Sequence, residues 1–105
     1  MPLTRSFKET VKARAERDPD FRVALFTEAV EQMLLGDLET GKAVLRDYIN
    51  ATVGFERLAR ETGTPVKSLM RMFGPKGNPR ARNLFSVIER LQKVARIRLD
   101  VAVGR

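Results

Sequence analysis

The chain has 105 residues, room for one domain and not for two, and with 43% hydrophobic and 31% charged residues it has an ordinary globular composition that can bury a core without staples. Cys and His are both absent, which excludes disulfides, thiolate nucleophiles and Cys-based zinc sites, removes the usual imidazole base, and counts against an enzyme. The net charge is +7, no apolar run nears the ~20 residues of a membrane span, and residues 1–16 lack the apolar stretch of a signal peptide, so a cytoplasmic protein is expected.

The spacing predicts helices almost everywhere. Ser6-Phe7-Lys8-Glu9 reads as a capping box that opens a helix from Phe7 to about Arg17, with Phe7, Val11 and Ala15 on one face. Asp18 caps and Pro19 opens a second helix to about Leu35. In it Phe21, Leu25, Ala29 and Met33 recur every four residues, and Phe26, Val30 and Leu34 make a second row. So wide an apolar stripe predicts a well-buried helix. Gly36 stops it and Asp37 caps a third helix, about Leu38 to Ala51, which buries Val44, Leu45, Tyr48 and Ile49. Beyond Gly54 come two short helices, about Phe55 to Thr62 and Pro65 to Phe73, parted by Gly63 and with Thr64 as cap of the second. Gly74-Pro75-Lys76-Gly77-Asn78-Pro79 is a loop, with Asn78 as cap and Pro79 as first residue of a last helix. That helix turns Leu84, Val87, Ile88 and Leu91 inward.

The tail changes period. Ile97, Leu99, Val101 and Val103 alternate with other residues, the spacing of a strand. A lone strand leaves its backbone groups unpaired, and Leu3-Arg5 is too short to serve as partner. The economical partner is the same strand of a second copy, which makes a homodimer. The alternative is a frayed tail or a continued helix. The fold class expected is therefore all-α, five to six helices with a short C-terminal strand. It forms one domain: an N-terminal helical extension (1–36), a core (37–94) and a tail (95–105).

Charge is distributed unevenly. Residues 1–52 hold 8 Lys/Arg against 9 Asp/Glu, a net of −1, and residues 53–105 hold 12 against 4, a net of +8. No carboxylate occurs from Thr62 to Ile88, a window that contains Lys67, Arg71, Lys76, Arg80 and Arg82. A one-sided basic block points to a polyanion, nucleic acid first and an anionic membrane surface second.

Two short helices joined through a glycine inside such a block fit a helix-turn-helix. Leu58, Leu69 and Met72 then point into the shared core, Ala59 is small where the second helix crosses, and Gly63 supplies a positive φ. With Leu69, Met72 and Phe73 inside, the opposite face of the second helix presents Val66, Lys67, Met70 and Arg71. Lys67 and Arg71 suit guanine edges or phosphates, and Val66 suits a thymine methyl. Lys76 in the loop and Arg80 and Arg82 at the last helix read as phosphate clamps.

The run Gly-Phe-Glu-Arg-Leu-Ala-Arg-Glu-Thr-Gly (54–63), then Ser-Leu (68–69), Gly-Asn-Pro (77–79) and an apolar helix resembles the addiction-module antidote family. These are HigA-like antitoxins with a lambda/Cro-type repressor domain. The resemblance covers about residues 43–101. It implies a lambda-repressor-like helix bundle, a DNA-binding repressor, and a small basic toxin as partner. The chain departs from the family at Phe55, Pro65 and Met70, so no base preference carries over.

The alternative reading is a helical protein-interaction or RNA-associated module. For an enzyme, the paired carboxylates Glu28 and Glu31, or Asp18 and Asp20, read better as a solvated face and a helix start. No phosphate-binding Gly-rich loop and no cofactor site is evident: Gly74–Gly77 lacks a following Lys-Ser/Thr. Phe21, Phe26, Phe73 and Phe85 sit at core spacing, leaving Phe55 as the exposed aromatic, too little for single-strand binding by stacking.

Overall fold

The computed structural model describes residues 5–104, with side chains from residue 9 onward. The described residues form six helices and no strand: α1 (Arg5–Arg17), α2 (Pro19–Leu34), α3 (Leu38–Ala51), α4 (Phe55–Thr62), α5 (Val66–Met72) and α6 (Ala81–Ala95). The fold is all-α.

Local chemistry sets most of the boundaries. Asp18 accepts from the Phe21 N–H at 3.1 Å with Pro19 at the first helical position, so α2 starts where the sequence places it. Asp37 accepts from the Thr40 N–H at 3.1 Å and from its hydroxyl at 2.8 Å. These bonds hold the Asp37 carboxyl below its ordinary range. Between the two helices Gly36 takes φ +90°, and the Asp37 N–H reaches back to Gln32 O at 2.9 Å, closing α2.

Three expected starts move. α1 begins at Arg5, so Ser6 lies inside the helix and not at its cap; the side chains of Ser6 and Phe7 lie outside the described residues. Pro65, not Thr64, is the N-cap of α5, and Arg80, not Asn78, is the N-cap of α6. Neither cap makes a side-chain hydrogen bond. Both Pro65 and Arg80 have extended backbone, with ψ 140° and 148°, and the helical turn starts only after them.

One cluster joins both halves of the chain. Phe26 and Ala29 of α2 share it with Leu45, Tyr48 and Ile49 of α3, Leu58 of α4, Leu69 of α5 and Val87 and Leu91 of α6. The Phe26 and Tyr48 rings stack at 4.7 Å, and burial pushes the Tyr48 hydroxyl up. α2 crosses α3 closely at Gly41, where a Cβ would lie 3.0 Å from Ala29 O. Residues 1–36 therefore do more than extend the core, since α2 supplies part of it.

α2 is less buried than its apolar stripe predicts. Leu34 is 67% exposed and Leu35 78%. The chain turns away at Gly36, so nothing covers that last turn. Phe21 is half-buried under the Arg14 guanidinium, 4.5 Å from the ring centre.

Two aromatics exchange roles. Phe55 is buried, its ring 6.2 Å from that of Phe73, whereas Phe85 is exposed. Phe85 follows the inward Leu84 by one residue, about 100° around the helix, and falls off the buried arc. Phe55 opens α4 at the point where α5 ends on Phe73, so the two rings close the core together.

The expected C-terminal strand is not formed: residues 97–104 take no regular secondary structure and pair with no strand within the chain. Arg96 takes φ 57° and reverses the direction after α6. The Leu99 N–H then donates to Gln92 Oε1 at 2.8 Å, laying the tail back along α6. Ile97 and Leu99 pack on the core, while Val101 and Val103 stand exposed. The expected alternation holds for one pair of residues and then has nothing to pack against.

No helix among the described residues is long and apolar enough to cross a membrane.

Candidate nucleic-acid interface

α4 and α5 are short helices that bury Leu58 and Ala59 on one side and Leu69 on the other. Three residues, Gly63-Thr64-Pro65, separate them. Gly63 takes the left-handed conformation, φ 68° and ψ 22°. The Thr64 N–H bonds back to Ala59 O at 3.2 Å, which fixes the exit from α4.

The core contacts orient α5. Leu69 and Phe73 are fully buried and Met72 is half-buried, leaving Lys67, Ser68, Met70 and Arg71 in solvent. At about 100° per residue Lys67 and Arg71 lie in the middle of the free face, with Met70 and Ser68 on its two margins. Val66 differs from the expectation: it is half-buried and packs against the core. It lies nearly in line with Phe73, two turns on, and so belongs to the inner arc. Ser68 takes its place on the outer face.

An open cleft lies between α5 and the loop that follows. Ser68, Arg71, Met72, Lys76, Gly77, Asn78 and Pro79 line it. Arg71 and Lys76 thus meet across one depression, with the Ser68 hydroxyl and the Asn78 amide beside them. Arg80 and Arg82 are exposed at the start of α6. A second groove at the other end of α5 is lined by Glu56, Arg60, Thr64, Val66 and Lys67. Glu56 is a carboxylate that folding brings to the edge of this basic surface although it lies outside the carboxylate-free stretch of sequence.

Some of the cations are ion-paired and others are not. On the flank, Arg57 and Arg90 both pair with Glu61, Lys93 with Glu89, and Arg98 with Asp100. Among the described residues, Lys67, Arg71, Lys76, Arg80 and Arg82 have no carboxylate partner within 4.0 Å. Among the same residues Lys12, Arg17, Arg46, Arg60 and Arg96 have no such partner either, so what marks the α5 region is the grouping of five unpaired cations between residues 67 and 82.

Two contributors escape sequence reasoning in different ways. Ser68 and Asn78 carry no charge, and only the cleft reveals them. Lys42 reads as one more surface cation on α3, yet it is 1% exposed, with its Nζ against the loop after α5. Its placement between the inward Leu45 and Gly41, on the α3 face that packs, was the available signal.

No family model, no curated protein and no solved structure matches this chain.

Proposed function

We propose that the chain is a sequence-specific double-stranded DNA-binding repressor, with α4 and α5 as a lambda-type helix-turn-helix and α5 as the helix that enters the major groove. The observation that carries this reading is the set of unpaired cations around an exposed seven-residue helix. Lys67 and Arg71 face the base edges, with Met70 available for an apolar contact. Ser68, Lys76 and Asn78 flank Arg71 and suit a backbone phosphate, and Arg80 and Arg82 extend the track along the strand.

One such helix covers only a few base pairs, so the working form is a two-fold dimer on a palindromic site, its two α5 helices about 34 Å apart. The tail, with Val101 and Val103 exposed, is the surface assigned to that pairing. The resemblance at 54–63, 68–69 and 77–79 adds an antitoxin role with a small basic toxin as partner.

Gel shift with duplex DNA against RNA tests the main claim. Roughly 4–8 phosphate contacts per dimer predict a slope of log affinity against log salt of about −4 to −7. A slope near zero, or preference for RNA, overturns it. Arg71→Ala weakens binding by about 1–3 kcal/mol and relaxes one base position, whereas Arg80→Ala weakens all sequences alike. Deleting residues 96–105 yields a monomer with far weaker binding. A truncated chain that sediments as a dimer moves the interface elsewhere.

A further inference from the structure

Lys42 is the one buried polar or charged residue among those described. It sits on α3, outside the surface assigned to DNA, and its buried side chain reaches the loop after α5. Its Nζ donates to Gly77 O at 2.5 Å and to Gly74 O at 3.3 Å, and lies 3.1 Å from Glu39 Oε1. An ammonium has three donors and no acceptor, so these three oxygens satisfy it.

The geometry of the loop explains why a cation is needed there. Residues 74–77 form a turn in which the Gly77 N–H bonds to Gly74 O at 3.0 Å. The carbonyls of Gly74 and Gly77 are partly buried, both accept from Lys42, and neither belongs to a helix. Gly74 O already accepts from the Gly77 N–H, so the ammonium adds a second donor there and gives Gly77 O a donor from α3. Gly77 is pressed so close to the end of α5 that a Cβ would collide with the carbonyl oxygens of Arg71 and Met72. The loop is therefore clamped from two sides, by Lys42 below and by the end of α5 above. Lys76 and Asn78, which line the cleft with Arg71, flank the clamped Gly77.

We propose that Lys42 is a positioning residue for DNA binding: from its buried place on α3 it fixes the loop that brings Lys76 and Asn78 beside Arg71 to seat a backbone phosphate. This rests on the DNA-binding reading, and it adds a device that acts without touching DNA. Lys42→Met keeps the length of the stem and removes all three donors, releasing the loop. The cleft then loses its wall, while the free face of α5 is unchanged.

The experiment pairs a readout without DNA and one with it. Amide hydrogen exchange on the free protein should show Gly77 and its neighbours exchanging at least tenfold faster in Lys42→Met, with α5 little changed. Binding to a random-sequence duplex at low salt, where phosphate contacts dominate, should weaken about tenfold, and the salt slope should fall by about 1. Lys76→Ala should weaken the parent severalfold but add almost nothing to Lys42→Met, because the loop is already released. Should Lys42→Met not fold, Glu39→Ala removes only the exposed third oxygen and should give a smaller change at the same amides. Unchanged exchange in the loop, or full additivity of Lys42→Met and Lys76→Ala, overturns the proposal. If the parent protein binds no duplex, the DNA reading falls on its own, and the exchange result still decides whether Lys42 holds the loop.

Discussion

The turn before α5 and the loop after it both depend on glycine, and for opposite reasons. Gly63 occupies a left-handed conformation, φ 68°, with open space where a Cβ would go. Gly77 has no positive φ, yet a Cβ there would run into backbone. The first glycine is required by torsion and the second by crowding. The first turn is held by its own chain, through the bond from the Thr64 N–H to Ala59 O. The second is held by a lysine 35 residues earlier. One end of α5 is thus fixed locally and the other by tertiary contact, and substitutions separate the two designs.

Leu69→Ala gives the reference and the largest effect. Leu69 is wholly buried where α5 meets the core, so both connections depend on it. Truncation should cost about 2–5 kcal/mol, read as a lowered denaturation midpoint. If the variant unfolds like the parent, α5 is not anchored as described.

Gly77→Ala comes next, at about 3 kcal/mol, the order of overpacking a site that cannot give way. The atoms in the path are carbonyl oxygens of Arg71 and Met72, not a flexible side-chain tip. Gly63→Ala should cost less, about 1–2 kcal/mol, because only the torsion is strained. Gly63→Val adds the stiffness of a branched side chain to the same torsion and should be worse than Ala. Equal costs for the two alanine variants would erase the distinction between torsion and crowding.

The same division decides what was legible in the sequence. Features with a local cause could be read directly: the Asp18-Pro19 start, the Gly36 and Gly63 stops, and the inward row Leu84, Val87, Ile88 and Leu91. Features that depend on what lies across the core could not. Phe55 and Phe85 have the opposite burial to that expected from spacing, decided by where Phe73 and the edge of the α6 arc fall. Lys42 has the composition of a surface residue and the environment of a core one. Of the candidate site, the charged members were visible as a carboxylate-free run. Ser68 and Asn78 show only in the cleft, and Val66 belongs to the inner arc because the core reaches the first turn of α5.

The smallest shift expected has the opposite sign. Arg96 is the one residue other than glycine with positive φ among those described, 57° at the end of α6. It closes the helix as Gly36 closes α2: the Ile97 N–H reaches Gln92 O at 3.0 Å and the Arg96 N–H reaches Lys93 O at 3.2 Å. The hydrogen bonds are those a glycine would make, so the Cβ brings torsional strain and no compensating backbone contact. Arg96→Gly should therefore stabilise the fold by about 0.5–1 kcal/mol, the strain relieved exceeding the extra freedom of the unfolded chain. In a domain of this size that is a rise of a few degrees in Tm. It is the mirror of Gly63→Ala, an L-residue leaving a left-handed site and not entering one, so the two shifts should be opposite in sign, the gain being the smaller. A loss of stability in Arg96→Gly would mean that the arginine side chain contributes at the tail, and that the two left-handed sites are not equivalent.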